Sequence, residues 1–267
     1  MVREKGKPAR GVLRQSKADL VAKHNRFFAS EKLDFFIEHY WTVSWDLTNS
    51  DPYLAETLPY PSIHIVFERE NSKIFGVTKG RFSTLLQGKG SVFGIKFRPG
   101  AFYPFYNKSV SLLTDKKMPL SILANDEILT LENKIFNLEE ETSRVELVET
   151  WLEKNLTKPD PKITFINGII DTIKEDRGIQ SVDQIVKLTS MNLRNLQRLF
   201  RDYVGVSPKW VIQRFRIQEV AERIEKEKTI HYAEMALELG YYDQAHFIKD
   251  FKKTIGHSPE EYLKTIL

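Results

Sequence analysis

The sequence contains two copies of one short segment near its carboxyl end. "LQRLFRDYVGVSPKWV" begins at Leu196, and "FIKDFKKTIGHSPEEY", which aligns with it without a gap, begins at Phe247. Equivalent residues are therefore 51 positions apart, as Gly205 and Gly256 also are. A repeat at a constant separation predicts that one local structure forms twice in the fold.

The sequence of each copy predicts one helix that is followed, after a short turn, by a second helix. Asn192 and Asp243 stand at equivalent positions, and both are good N-cap residues for the first of these helices. A glycine follows at the place where a helix ends in a left-handed residue. A Ser-Pro pair, at residues 207–208 and 258–259, then supplies a new N-cap and a proline in the first helical position.

A shorter helix is predicted before each copy. Ser181 and Gln184 form a capping-box pattern that opens "VDQIVKL", and "AEMALEL" occupies the equivalent place before Gly240. Two interpretations fit tandem helix pairs, an α-helical solenoid and a pair of helix-turn-helix units. The solenoid is disfavoured because two copies are few and because the helix between them, from Trp210 to about Glu225, is long for a repeat loop.

The residues of the repeat resemble a known family. "LQRLFRDYVGVSPKWVIQRFRIQEV" and "GYYDQAHFIKDFKKTIGHSPEEY" are similar to the paired helix-turn-helix domain of AraC/XylS-type bacterial transcription regulators, over residues 163–267. The resemblance implies two helix-turn-helix units bridged by one long helix, which read two major-groove segments about one DNA turn apart. It also implies double-stranded promoter DNA and RNA polymerase as partners.

Polar residues on the outward face of each predicted recognition helix suit base contacts, because arginine pairs with guanine and glutamine or asparagine with adenine. The resemblance places Arg194, Gln197 and Arg198 at positions that contact DNA in the family. The predicted base readers are Arg194, Asn195, Gln197 and Arg198 in the first copy, and Gln244, Ala245, His246 and Lys249 in the second. The predicted phosphate contacts are Arg201, Lys209, Arg214, Lys252 and Lys253. The alternative for all of them is an ordinary solvated helix face, and the second set, with less hydrogen-bonding capacity, is expected to read more weakly.

The amino-terminal part has a different pattern. Short runs rich in β-branched and aromatic residues, separated by turn signals, predict an antiparallel sheet or small barrel from Trp41 to Phe97. Helical spacing follows from Pro119 onward. The predicted fold is therefore α+β: a mixed β-sheet or barrel domain with helices, and an all-α domain of two helix-turn-helix units joined by a long helix. The predicted boundaries are a polar basic arm (1–20), a sensor or dimerisation domain (21–157), a linker (158–162) and the DNA-binding domain (163–267).

"HYWTVSWDL", "FGIKFRPGAFYPFY" and "SLLTD" resemble the sensor-like amino-terminal domain of one branch of the same regulators. That resemblance implies binding of an unidentified small-molecule effector, formation of a homodimer, or both. The candidate pocket residues are Trp41, Trp45, Tyr60, His64, Phe97, Arg98 and Phe102. The alternative is a β-domain core with one salt-bridged arginine. His64 and Glu68 alternate onto one strand face, but no third ligand is evident, so no metal is predicted.

Composition excludes several other functions. The chain of 267 residues has no cysteine, which rules out disulfides, thiol nucleophiles and Cys-ligated metal sites, including the cysteine-dependent DNA repair found in some similar regulators. No nucleophile motif, phosphate loop or paired carboxylates support catalysis, so the prediction is a non-enzyme without a cofactor. The alternative is a helix-turn-helix domain fused to an enzyme of unidentified activity. Without a long apolar run or a signal sequence, a cytoplasmic protein with no membrane partner is expected.

Overall fold

The computed structural model describes residues 3–4, 15–123, 125–155, 158–228, 231–241 and 243–266. The strands are β1 (Arg3–Glu4), β2 (Ala22–Phe28), β3 (Ile37–Leu47), β4 (Tyr53–Thr57), β5 (His64–Phe67), β6 (Lys73–Phe75), β7 (Phe82–Leu86), β8 (Gly88–Phe97) and β9 (Lys117–Pro119). The helices are α1 (Gln15–Val21), α2 (Tyr103–Tyr106), α3 (Asp126–Phe136), α4 (Glu141–Lys154), α5 (Pro161–Glu175), α6 (Val182–Thr189), α7 (Leu193–Tyr203), α8 (Pro208–Glu227), α9 (Tyr232–Glu238), α10 (Gln244–Ile255) and α11 (Pro259–Ile266). This α+β arrangement confirms the predicted fold class.

Strands dominate the amino-terminal part. Seven of them form one antiparallel sheet in the order β1-β2-β3-β8-β5-β6-β9, and β4 and β7 form a separate ribbon. In the described part of the chain the two edge strands, β1 and β9, do not pair with each other, so the sheet is open rather than closed into a barrel. The predicted arm at 1–20 falls partly outside the described residues. Its described part supplies β1, which pairs with β2, and most of α1.

Two glycines of β8 make room for tryptophans of β3. Trp41 lies opposite Gly94 and Trp45 lies opposite Gly90 in the strand register. A Cβ atom on Gly94 would be 2.0 Å from Cε2 of Trp41, and one on Gly90 would be 2.3 Å from Cζ2 of Trp45. Each indole therefore lies across the neighbouring strand, and only glycine leaves space for it there.

The carboxyl-terminal part forms the two predicted units. The first contains α6 and α7, the second contains α9 and α10, and the 20-residue helix α8 connects them. Asn192 accepts a hydrogen bond from the amide of Asn195, and Asp243 accepts one from the amide of His246, so both predicted N-caps are present. Ser181 and Gln184 form their predicted capping box. None of the helices in the described ranges combines the length and apolar composition needed to cross a bilayer.

The left-handed glycines also form as predicted. Gly205 has a φ of +92° and Gly256 a φ of +88°, a region that residues with a Cβ seldom adopt. The chain then restarts a helix at once: Ser207 accepts a hydrogen bond from the amide of Trp210, and Ser258 accepts one from the amide of Glu261. The two turns are therefore equivalent in structure as well as in sequence.

The hydrophobic core does not divide at the predicted linker. One cluster of buried residues extends from the sheet through α5, α6 and α7 to Ile212 at the start of α8. Asn167 of α5 also donates a hydrogen bond to the Pro99 carbonyl, at 3.0 Å. The second unit has a cluster of its own, between the later part of α8 and helices α9, α10 and α11. The first helix-turn-helix unit thus shares a core with the amino-terminal part, whereas the second has a separate cluster, against which Leu58 of the amino-terminal part packs.

Candidate nucleic-acid interface

Helix α7 presents all four predicted base readers of the first unit to solvent. Arg194, Asn195, Gln197 and Arg198 are exposed. The opposite face carries Leu196, Phe200 and Tyr203, which are buried. Leu193, at the start of the helix, is 41% exposed. The helix is therefore held by three large buried side chains and leaves the four polar side chains exposed.

Helix α10 places the predicted readers of the second unit in the same way. Gln244, Ala245, His246 and Lys249 are exposed, and Phe247 and Phe251 hold the buried face. His246 Nε2 lies 3.5 Å from an oxygen of Asp250, one turn later on the same helix. A carboxylate thus neighbours a predicted reader of the second face, and weaker reading by this face stays a prediction.

A basic groove runs beside α7. Its volume is about 780 Å³. It is lined by Arg194, Gln197, Arg198, Arg201, Gly205, Val206, Ser207, Lys209, Trp210 and Gln213 of the first unit and the start of α8, and by Lys79, Ser111 and Thr114 of the amino-terminal part. Five of these side chains are cationic, so the groove concentrates positive charge on the face that carries the predicted base readers.

Four of the predicted phosphate contacts are exposed cations. Arg201 lies 3.2 Å from Asp202, and Lys252 lies 3.4 Å from Glu261. Lys209 and Lys253 are also exposed. Lys209 stands in the first turn of α8, where free amides and the helix dipole favour an anion. These positions are compatible with phosphate contacts.

Arg214 is a correction to the sequence prediction. It is only 5% exposed, and it donates hydrogen bonds to the Pro59 carbonyl and to Gln218. Its guanidinium carbon lies 4.5 Å from the ring centre of Phe215 and 5.3 Å from that of Tyr60. Burial lowers the pKa of Arg214 to about 10. The side chain therefore joins α8 to the amino-terminal part and does not face a DNA phosphate.

The amino-terminal part contacts both Gly-x-Ser-Pro turns. At the first turn, Thr114 donates a hydrogen bond to the Gly205 carbonyl at 2.6 Å. At the second, Arg81 approaches Gly256 so closely that a Cβ there would be 2.5 Å from the guanidinium carbon. Arg81 also forms an ion pair with the buried carboxylate of Glu56. The orientation of both reading helices is thus tied to the amino-terminal part.

The predicted pocket residues lie in different surroundings. Phe97 and Phe102 pack in the core with ring centres 5.1 Å apart, and Arg98 pairs with Asp34. Trp45 donates to the Gln87 carbonyl at a distant, exposed site. Phe97, Phe102 and Arg98 thus have the core packing and the salt bridge of the alternative, whereas Trp45 lies outside the main core, and a pocket at these positions stays a prediction.

Trp41, Tyr60 and His64 do come together, around a lysine that the sequence interpretation missed. Lys96 Nζ lies 3.0 Å from Glu38 Oε1 and 3.6 Å above the Tyr60 ring. Trp41 donates to Nδ1 of His64 at 3.3 Å, and burial together with Lys96 lowers the pKa of His64 to about 3. The only signal for this cluster was a lysine within the apolar strand "FGIKF".

His64 and Glu68 each have a hydrogen-bonding partner in the structure. His64 is occupied by Trp41, and the Glu68 carboxylate accepts a hydrogen bond from Asn71 at 2.7 Å. In the ranges that the structure describes, no group of three or more histidine and carboxylate side chains could hold a metal ion.

Similarity to known proteins follows the same two-part organisation. Residues 25–119 match a family described as a domain of unknown function (DUF6597), and residues 185–265 match one described as a helix-turn-helix domain. An uncharacterised HTH-type transcriptional regulator of Haemophilus influenzae is 30% identical over 99 residues, which are 37% of this chain and 33% of that protein. The HTH-type transcriptional regulator MtrA of Neisseria gonorrhoeae is 29% identical over 118 residues, 44% of this chain and 36% of MtrA. The chain thus spans about a third of the length of these curated relatives.

Solved structures give a fainter likeness. The carboxyl-terminal domain of the response regulator AraT from Geobacillus stearothermophilus matches with 21% identity and a TM-score of 0.35, over 41% of this chain and 88% of that one. ToxT from Vibrio cholerae, bound to a naphthyl-butenoic acid, matches with 15% identity and a TM-score of 0.36, over 92% of this chain and 100% of that one. The duplicated helix-turn-helix unit and its sequence relatives carry the assignment. The carboxyl-terminal part of this chain is a helix-turn-helix domain of the AraC/XylS type, joined to an amino-terminal domain from a family of unknown function.

Proposed function

We propose that this protein is a sequence-specific transcription regulator that binds promoter DNA through α7 and α10. The observation that carries the proposal is the pair of equivalent helices, each capped, each packed on one apolar face, and each leaving its polar face open. The first face also borders a groove with five cationic side chains. These properties suit a duplex, whose major groove accepts a helix and whose backbone is anionic.

Binding to the protein's own promoter is expected to weaken steeply with salt. Each neutralised phosphate contributes a slope of about −0.9 to the dependence of log K on log salt, so four contacts give roughly a hundredfold loss between about 50 and 200 mM salt. Fluorescence anisotropy with a labelled promoter fragment at several salt concentrations measures this slope. An affinity that does not change with salt contradicts the proposal.

Arg198→Ala is expected to relax sequence discrimination. A bidentate contact from arginine to guanine contributes about 1–3 kcal/mol of preference for the correct base, equivalent to roughly 5- to 150-fold. The measurement compares affinity for the promoter with affinity for the same fragment mutated at the footprinted bases. Lys209→Gln is the matched control, since loss of a phosphate contact weakens binding to both fragments equally. Unchanged discrimination in Arg198→Ala would remove this residue from the set of base readers.

The amino-terminal domain is assigned a regulatory role in the same proposal. Its contacts to Gly205 and Gly256 support a coupling in which a small-molecule effector or a homodimer contact changes the orientation of the two reading helices and their access to RNA polymerase. No catalytic activity is proposed, because Lys96 and His64, whose pKa values burial lowers, are engaged by Glu38 and Trp41. Footprinting with and without candidate ligands tests the coupling, and a footprint insensitive to every ligand and to protein concentration contradicts it.

A further inference from the structure

One wall of the basic groove comes from the amino-terminal domain. Lys79 lies in the segment between β6 and β7, yet its side chain lines the same groove as Arg194 and Arg198 of α7. Half of the Lys79 side-chain surface is exposed. A cation of the family domain of unknown function therefore stands beside the face that the proposed function assigns to DNA.

The backbone of Lys79 is fixed on both sides. Its amide donates to Asp115 Oδ1 at 2.8 Å, and its carbonyl accepts a hydrogen bond from the indole of Trp210 at 3.3 Å. Trp210 is in the first turn of α8 and lines the groove as well. The position of Lys79 is consequently set relative to the reading unit, so that DNA held by α7 meets its ammonium group in a defined place.

The ion pair of Lys79 leaves its charge available. Lys79 Nζ lies 3.9 Å from Asp115 Oδ2, and both side chains are about half exposed. Exposed pairs of this kind contribute little to stability, so a phosphate can compete with the carboxylate for the ammonium group. Among the described residues, Asp115 and Asp202 are the carboxylates paired with cations of the groove, and these two leave an excess of positive charge among its five cations.

We infer that Lys79 contacts a phosphate of the bound duplex and that the DNA interface therefore extends onto the amino-terminal domain. The inference rests on the proposed DNA-binding function. A duplex backbone is the partner because the remaining cations of the groove, Arg194, Arg198, Arg201 and Lys209, belong to the reading unit. The amino-terminal domain then acts on DNA directly as well as through the orientation of the helices.

Three variants of the full-length chain test the inference through the salt slope of promoter binding. Lys79→Gln is expected to reduce the magnitude of the slope by about one. Asp115→Asn keeps the acceptor for the Lys79 amide and suits the left-handed backbone at this residue, where φ is +59°. It is expected to keep the slope and to strengthen binding. Lys154→Gln is the matched control, because Lys154 also pairs with a carboxylate at 3.9 Å, on the surface away from the groove.

The outcomes separate this inference from the proposed function. An unchanged slope in Lys79→Gln, with a salt-dependent wild type, overturns the inference alone. Weaker binding in both Lys79→Gln and Asp115→Asn without a change of slope also overturns the inference. That result would mean that the Lys79–Asp115 pair stabilises the contact between the domains and does not touch DNA. A wild type that does not bind its promoter overturns the proposed function instead. A reduced slope in Lys79→Gln with wild-type slopes in Asp115→Asn and Lys154→Gln supports the inference.

Discussion

Phe251→Ala is expected to unfold the second helix-turn-helix unit while the rest of the chain stays folded. Phe251 is fully buried, and its ring lies 5.9 Å from those of Phe247 and Tyr262 in a hydrophobic cluster separate from the main core. Truncation of a buried phenylalanine costs about 3–5 kcal/mol. The loss falls on a small cooperative unit, so local opening should precede global unfolding.

Hydrogen exchange of the folded protein measures this effect. Amides of α9, α10 and α11 should lose protection in Phe251→Ala, and those of α5 and of the sheet should keep it. Phe200→Ala is the matched control, since Phe200 is the repeat partner of Phe251 but belongs to the core shared with the sheet. That variant should lower protection in the sheet and the first unit together. Uniform loss of protection along the chain in Phe251→Ala would contradict a separate second core.

Arg216→Ala is expected to lower the free energy of unfolding by about 3–5 kcal/mol. Arg216 is 3% exposed and donates hydrogen bonds from α8 to the carbonyls of Ile173, Asp176 and Ile179. The first of these carbonyls belongs to the last turn of α5, where a cation is favourable. Removal of the Arg216 side chain leaves these buried carbonyls without the guanidinium donor, which lowers the free energy of unfolding more than the loss of a surface contact does.

Denaturant unfolding of the purified protein measures the change. Arg223→Ala is the control on the same helix, because Arg223 forms an i,i+4 pair with Glu227 near the surface and should lose at most about 1 kcal/mol. Arg216→Lys should fall between the two, since lysine keeps the charge but cannot reach three carbonyls with a planar group. Equal stabilities of Arg216→Ala and Arg223→Ala would show that this network does not hold α5 to α8.

The helix-turn-helix units could be predicted because their signals are local. The N-cap at Asn192, the left-handed Gly205 and the N-cap at Ser207 each depend on residues a few positions away. The same signals occur again in the second copy of the repeat. The polar face of α7 could also be predicted, since helical periodicity alone places Arg198 on the exposed face and Phe200 on the buried face.

A pocket in the amino-terminal domain is harder to predict from the sequence, because it depends on contacts between distant segments. Aromatic residues such as Phe97 and Trp45 look alike in sequence whether they pack in a core or line a cavity. Trp41, Tyr60 and His64 meet around Lys96, whereas Phe97 and Phe102 pack against each other in the core. The charge of Arg214 was misleading for the same reason, since the Arg214 side chain is buried against Pro59, 155 positions away in the sequence.

Local signals in the chain were thus enough to specify the caps, turns, helix faces and duplicated unit of the carboxyl-terminal part, because each depends on neighbours within one or two helical turns. The division of the cores, the contacts of Arg81 and Thr114 with the two turns, and the place of Lys79 beside α7 depend on packing between residues about 90 to 180 positions apart. No periodicity encodes such contacts, since they arise only when the sheet and the helices bury their apolar faces against each other.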